Sequence, residues 1–371
     1  VTIWVIYSND PLAQDQGGGA EHFRGIYRAL DRSGLEFRLI AARLQDERSD
    51  PRIEYVSRGS SFPRFWLALF WWFWRNRRRI ATGDVVHVHR NYAAWPKLLL
   101  APRRGRLVVT YHNVSGRVLR GWLGHHARRV RRLMLAAERR VARLADAIVC
   151  VSERDRRALA RMVDGSAFAM ARVIAAAFDA GGFTHRPVKA PTVTIAREVL
   201  VLGRLSRQKN VPLAITAFER AADSDPRWRL TIAGDGEDAA AIVARMAASR
   251  HRERIAWIGR VAHDRVPALI DAHGILLLTS RYEASPTVVK EALARHRAVV
   301  STPAGDVRRW VEEHRSGLIA PAEPDALARA LEEAARLIES GRYCPSAALS
   351  STDERALMAP LMALYCDLSR P

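Results

Sequence analysis

Val199-Leu-Val-Leu-Gly-Arg-Leu-Ser-Arg-Gln-Lys-Asn210 is the stretch on which the fold turns. A four-residue apolar run, too short for a helix, ends on Gly203 and gives way to a polar, basic loop. That pattern is a buried strand running into a glycine turn. Downstream the same unit recurs at Leu230–Ala233, Ile255–Trp257, Ile275–Thr279 and Val299–Ser301. Upstream it recurs at Ile3–Tyr7, Arg38–Ala41, Val85–His89, Leu107–Tyr111 and Ala147–Val151, with helical segments such as Ala20–Arg32 and Arg128–Leu144 between strands. Repeated strand–helix–strand units predict parallel sheets with helices on both faces. The segment Ala175–Arg197 lacks helical period and carries Gly, Pro and Thr, which suits a linker. For 371 residues this gives two α/β domains. Residues 1–180 form the first, 181–198 the linker, 199–345 the second, and 346–371 a helical end that packs back on the first. The cleft between such domains is the expected ligand site.

Composition excludes several classes. Hydrophobic residues make up 49% and charged residues 26%, so the chain is neither disordered nor fibrous. Cys150, Cys344 and Cys366 are odd in number and form no CxxC pair, so neither a disulfide framework nor a zinc knuckle is expected, and a reducing cytoplasm fits. The N-terminal VTIWVIYSND reads as a strand and not as a signal peptide. Charge is the unusual quantity: 59 basic against 39 acidic residues gives +20. Residues 1–180 carry 32 against 16, hence +16, and the remainder 27 against 23, hence +4. Such asymmetry calls for a polyanionic partner of the first half.

Four stretches carry candidate chemistry. Gly17-Gly18-Gly19, ahead of a helix, allows backbone N–H groups to approach a phosphate, although a plain flexible turn explains it as well. His112 ends a strand, at the edge where open α/β sheets bind ligands. His87, His89, His125 and His126 read as structural or surface residues, and no spacing suggests a metal site. Arg204 and Lys209, in a chain with only four lysines, flank a loop suited to clamping a diphosphate, the alternative being a solvated loop. Glu283 and Glu291 bracket Ser285-Pro286, which starts a helix over Thr287–Arg295. Carboxylates so placed accept hydrogen bonds from vicinal hydroxyls. Asp223-Ser224-Asp225 looks like a metal-binding DxD but precedes Pro226 in a loop and reads as a turn.

Taken together, the glycine-rich loop, Thr110-Tyr-His112, ADAIVCVSE at 145–153, GRLSRQKN at 203–210, IAGDGE at 232–237, WIGRV at 257–261, the Glu283/Glu291 pair and VVSTPAG at 299–305 resemble the retaining nucleotide-sugar glycosyltransferases of family 4. The resemblance implies the GT-B fold, two Rossmann-like parallel-sheet domains facing across a cleft. It implies a metal-independent hexosyltransferase without a cofactor, using a UDP- or GDP-sugar donor. In that reading Arg204 and Lys209 neutralise the diphosphate, Glu291 holds the ribose, and Glu283 and His112 contact the sugar. Gly203, Gly259, Val261, Thr287 and Val288 join the donor site, and Gly18 and Gly19 approach phosphate or acceptor. Departures fall at Ala284-Ser285-Pro286, Asn113 and Asp306, and they bear on which sugar is carried.

Phe62–Arg79 concentrates four of the ten tryptophans beside a run of arginines. Its apolar part is shorter than the about 20 residues needed to span a bilayer. Trp and Arg are residues of an interfacial anchor, so an anionic membrane surface is the expected partner, contacted through Phe62–Arg79 and Arg128–Arg143. The alternative is a core helix, and part of the stripe must be core. The expected acceptor is then a lipid-linked saccharide or glycolipid of cell-envelope or exopolysaccharide synthesis, met at the inner face of the plasma membrane. A sugar-nucleotide epimerase of similar fold is the nearest rival. A basic nucleic-acid-binding protein is a more distant one, since it has no need of the motifs in the second half.

Overall fold

The computed structural model describes residues 1–13, 18–44, 49–59, 61–112, 128–163, 170–178, 183, 189–345 and 354–370. The chain divides into two compact units, Val1–Ala177 with Glu354–Pro371, and Phe178–Asp353. The division therefore precedes residue 180, and the residues expected as a linker fall within the second unit. Gly17, Asn113, His125, His126 and residues 346–353 lie outside the described residues.

In the first unit seven strands, β1 Thr2–Ile6, β2 Glu36–Arg43, β3 Ile53–Arg58, β4 Val85–His89, β5 Arg106–Tyr111, β6 Ala147–Cys150 and β7 Ala171–Val173, lie in the order β3-β2-β1-β4-β5-β6-β7. Every pairing is parallel. Helices α1 Gly18–Ser33, α2 Phe62–Asn76, α3 Ala94–Leu100, α4 Arg128–Leu144 and α5 Glu153–Ala160 lie between these strands in sequence. Alternation along β1 decides which helix covers which face. Trp4 and Ile6 share a buried cluster with Phe65, Leu69, Trp72 and Phe73 of α2, Ala94 of α3 and Val141 of α4. Ile3, Val5 and Tyr7 point the other way, onto Phe23, Ile26 and Leu30 of α1 and onto Met358, Leu361 and Tyr365 of the C-terminal helix Glu354–Ser369. Arg32 Nη2 fastens that helix to α1 by donating to Glu354 Oε1 at 2.7 Å.

The second unit repeats the plan with six strands, β8 Glu198–Leu202, β9 Arg229–Ala233, β10 Ile255–Trp257, β11 Ile275–Leu278, β12 Ala298–Ser301 and β13 Gly317–Ile319, in the order β10-β9-β8-β11-β12-β13 and all parallel. Its helices are α6 Val211–Ala222, α7 Ala239–Ala247, α8 Val266–Asp271, α9 Thr287–Ala294, α10 Val307–Glu313 and α11 Pro324–Glu339. One face of the sheet is sealed by Ile215 and Phe218 of α6 with Leu327 and Leu331 of α11. In both units the strand order reverses beside the first strand, at β1/β4 and at β8/β11. Crevices form outside the carboxyl ends of strands at such switch points.

Three strands escape the sequence reading, β3, β7 and β13, and all three are sheet edges. Edge strands bury less and mix polar with apolar residues, so they lack the continuous apolar run that marks the central strands.

Candidate functional site

The carboxyl edge of the second sheet gathers the expected residues of that unit. After β8, Gly203 (φ 147°) donates its N–H to Ala233 O at 3.0 Å. After β9, Gly234 (φ 135°) donates to Gly259 O at 2.7 Å, and a Cβ on it would stand 1.9 Å from Gly203 O. The turns after β8, β9 and β10 thus touch backbone to backbone, which only glycine allows. The loop at 203–210 is tied to the one after β11: Thr279 Oγ1 donates to Lys209 O at 3.1 Å, and Arg281 N to Gln208 O at 2.8 Å.

These ties bring Lys209 Nζ to 2.7 Å from Glu283 Oε1, which also accepts from Ser280 Oγ at 2.7 Å. Gln208 Nε2 donates to Tyr282 O at 2.9 Å beside them. Glu283 is buried, and Lys209 covers it. Arg204, by contrast, is 74% exposed and pairs with Glu237 at 3.1 Å, so the two cations of the expected clamp have different partners. Thr287 and Val288 open α9, with Glu291 buried one turn further along. Gly259 and Val261 follow β10 on the same edge, the space around the Gly259 Cβ position being open.

The sequence reading missed the group behind this edge. Lys290 is wholly buried 4.9 Å from the Trp310 ring, and burial lowers its pKa to about 8. Asp306 Oδ2 accepts from Trp310 Nε1 at 2.8 Å, and burial raises its pKa. Asp306 Oδ1 and Ser285 Oγ are both buried, and Ser285 interacts with the Asp306 carboxylate. The sequence signal was a lysine inside the Glu283/Glu291 interval of a chain with four lysines.

In the first unit the carboxyl ends of β1, β4 and β5 meet the start of α1. His112 Nε2 lies 3.0 Å from His89 Nδ1, the Tyr7 ring stacks on His112 at 5.3 Å, and His22 stands edge-on to both histidines. His89, read from sequence as merely structural, therefore shares a cluster with His112; residues 22, 89 and 112 meet only through the sheet. His87 keeps its structural role, bonded through Nδ1 to Tyr365 Oη at 2.5 Å and through Nε2 to Thr110 Oγ1 at 2.6 Å. Burial lowers the pKa of His89 and His112 well below 6.5 and that of His87 to about 3, so all three are neutral. Ring nitrogens of His22, His89 and His112 lie within 4.8 Å of one another, close enough to hold a metal ion. The donor set does not fit one. His22 Nδ1 accepts the Ala177 N–H at 2.8 Å, so the neutral ring carries its proton on Nε2 and neither nitrogen offers a free lone pair. Gly18 and Gly19 begin α1, and a Cβ on Gly19 would lie 2.8 Å from Tyr7 Oη.

Two family models match the chain, Glycosyltransferase Family 4 over residues 16–174 and Glycosyl transferases group 1 over residues 189–348. Alpha-D-kanosaminyltransferase from Streptomyces kanamyceticus is 26% identical over 306 residues, covering 75% of this chain and 77% of its own. Among solved structures, sucrose-phosphate synthase from Thermosynechococcus elongatus superposes with a TM-score of 0.76 at 18% identity, covering 99% of this chain and 98% of its own. A trehalose-6-phosphate structure from E. coli bound with UDP-2-fluoro glucose gives 0.71 at 12% identity, covering 100% and 99%.

Proposed function

From the premise that this chain belongs to glycosyltransferase family 4 and has its GT-B fold, we propose that it is a retaining, metal-independent hexosyltransferase that moves a sugar from UDP or GDP to a lipid-linked saccharide or glycolipid. The observation that carries this reading is the convergence of the Gly203, Gly234 and Gly259 turns, Lys209, Glu283 and Glu291 on one sheet edge of the second unit. A solved structure of the same fold holding UDP-2-fluoro glucose supports the choice of donor class.

The chemistry requires stabilisation of a departing diphosphate and of an oxocarbenium-like sugar. Preorganised cations and backbone N–H groups supply the first without a metal. Lys209 is held by Glu283, and the donor's phosphate offers its ammonium a stronger anion. Arg204, exposed on the same loop, approaches the diphosphate on leaving Glu237. Glu283, buried and fixed by Ser280 and Gln208, accepts hydroxyls of the donor sugar, and Glu291 those of the ribose. Neutral His112 donates to or accepts from the sugar without adding charge.

A lipid acceptor is supported by the layer of the first unit built from α2, α3 and α4. Phe65, Leu69, Trp72 and Phe73 of α2 are core. Arg64, Leu67, Trp71, Trp74 and Arg78 form the opposite, exposed stripe at spacings of three and four, with Trp71 60% and Trp74 58% exposed. On α4, Val130, Leu133 and Met134 are exposed among Arg129, Arg132 and Arg139. No described helix is long and apolar enough to cross a membrane. Exposed Trp interleaved with Arg suits docking on the anionic inner leaflet of the plasma membrane. The test of the donor reading is a thermal-shift series with UDP, GDP, ADP and dTDP and their sugar conjugates. One nucleotide raises the midpoint in the native protein and fails to do so in Lys209→Met.

A further inference from the structure

Arg90 is the residue of the first unit that the donor chemistry leaves unused. It directly follows β4 at the β1/β4 switch point and holds φ 81° and ψ 128°, a backbone region that side chains other than glycine rarely enter. The conformation is held from both sides: Arg90 N donates to Thr110 O at 3.0 Å, and Arg90 O accepts from Ala93 N at 3.1 Å. Such a backbone is kept where the side chain it aims is needed. The residue is exposed, Nη1 lies 3.1 Å from Tyr92 Oη, and the Tyr7 ring centroid is 5.8 Å away. In the same unit Arg28, Arg32, Arg52, Arg79 and Arg156 each pair with a carboxylate. Among the described residues no carboxylate pairs with Arg90, nor with Arg64 or Arg75, and Arg90 alone of these three holds a positive φ.

We propose that Arg90, with the hydroxyls of Tyr7 and Tyr92, binds an anionic group of the acceptor, a phosphate or a carboxylate. This rests on the reading of the first unit as the acceptor unit. An unpaired guanidinium presents a planar fork of donors, and phenol hydroxyls beside it donate to the same oxygens. His89 and His112 are neutral and close by, so they leave the anion to the arginine. Gly19 admits the Tyr7 hydroxyl to the start of α1, where backbone N–H groups add to the same field.

The test is titration with inorganic phosphate at low ionic strength, read by calorimetry on the wild type, Arg90→Gly, Arg90→Lys and Lys209→Met. Glycine suits φ 81°, so Arg90→Gly keeps or raises the unfolding midpoint while its phosphate affinity falls at least tenfold. Arg90→Lys loses less, and Lys209→Met keeps the site. Unchanged phosphate binding in Arg90→Gly overturns the proposal, and so does loss in Lys209→Met alone, which moves the anion to the second unit. A fall in the Arg90→Gly midpoint overturns it too, by making Arg90 a structural residue. Hexose 1-phosphate in solution and phosphatidate in vesicles sort the source: a soluble sugar phosphate binds the Trp71→Ser/Trp74→Ser variant undiminished, a lipid-borne one does not. If no nucleotide stabilises the wild type while phosphate binding still needs Arg90, the donor reading fails and this one stands.

Discussion

Lys209 Nζ lies 2.7 Å from Glu283 Oε1, and the contact joins the loop after β8 to the loop after β11 across the switch point of the second sheet. The same lysine thus positions Glu283 and, in the proposed donor reading, is a cation available to an incoming diphosphate.

Replacing Lys209 by Met, close in length and without charge, lowers transfer by about 100- to 1,000-fold, the range for removing one preorganised donor to a developing anion. Glu283→Gln keeps a bond to Ser280 and loses the ion pair. Its loss falls on kcat with the sugar nucleotide, whereas UDP alone binds it nearly as well. Steady-state kinetics beside UDP titration separates the two, and equal loss of UDP binding in both variants contradicts the assignment of Glu283 to the sugar.

Gly234→Ala places a methyl 1.9 Å from Gly203 O at φ 135°, and both strain and overlap oppose it. The expected cost is about 3 kcal/mol or more. Calorimetric unfolding shows it in the second unit's transition, with the first unit's left in place. Gly259→Ala is the control, at a position whose Cβ meets nothing within 4 Å but whose φ of 68° still costs about 1 kcal/mol.

His87 is buried neutral with its pKa lowered to about 3, against about 6.5 in the unfolded chain. Below pH 6.5 the unfolded state takes a proton that the native state refuses. The stability is therefore complete above pH 6.5 and is lost as pH falls from there toward 3, at about 1.4 kcal/mol per pH unit for this one residue. Urea unfolding at pH 7.5, 6.5 and 5.5 gives the slope. His87→Gln, which takes up no proton, flattens it by that amount; an unaltered slope means that native His87 is charged.

Trp71→Ser with Trp74→Ser removes the exposed aromatic stripe of α2 without touching Trp72 or Phe73 in the core. Co-sedimentation with vesicles containing anionic lipid is expected to fall at least tenfold, with the unfolding midpoint unchanged. Arg75→Gln with Arg78→Gln weakens the same binding by about 1 kcal/mol per arginine and reduces its salt dependence. Binding that survives both pairs places the membrane contact elsewhere.

How far the sequence reaches differs from element to element. The central strands were legible because burial on both faces favours apolar residues throughout, as in Val85–His89, whose bounds agree residue for residue, and of the edge strands Ile255–Trp257 was legible from three consecutive apolar residues. The edge strands β3, β7 and β13 were not, since a half-exposed strand carries no such run. Local motifs placed Lys209, Glu283 and Glu291 at a strand's carboxyl end without any knowledge of contacts. The sequence by itself thus determined two parallel-sheet units and the sheet edge on which Lys209, Glu283 and Glu291 gather. Only tertiary structure decided the partners: that Lys209 meets Glu283 while Arg204 turns to Glu237, that His22, His89 and His112 share one cluster, and that Arg90 has no carboxylate partner among the described residues. The physical reason is range. Strand and turn patterns arise from neighbours a few residues apart, whereas these pairings join positions dozens of residues apart that meet only once the sheets have set their order.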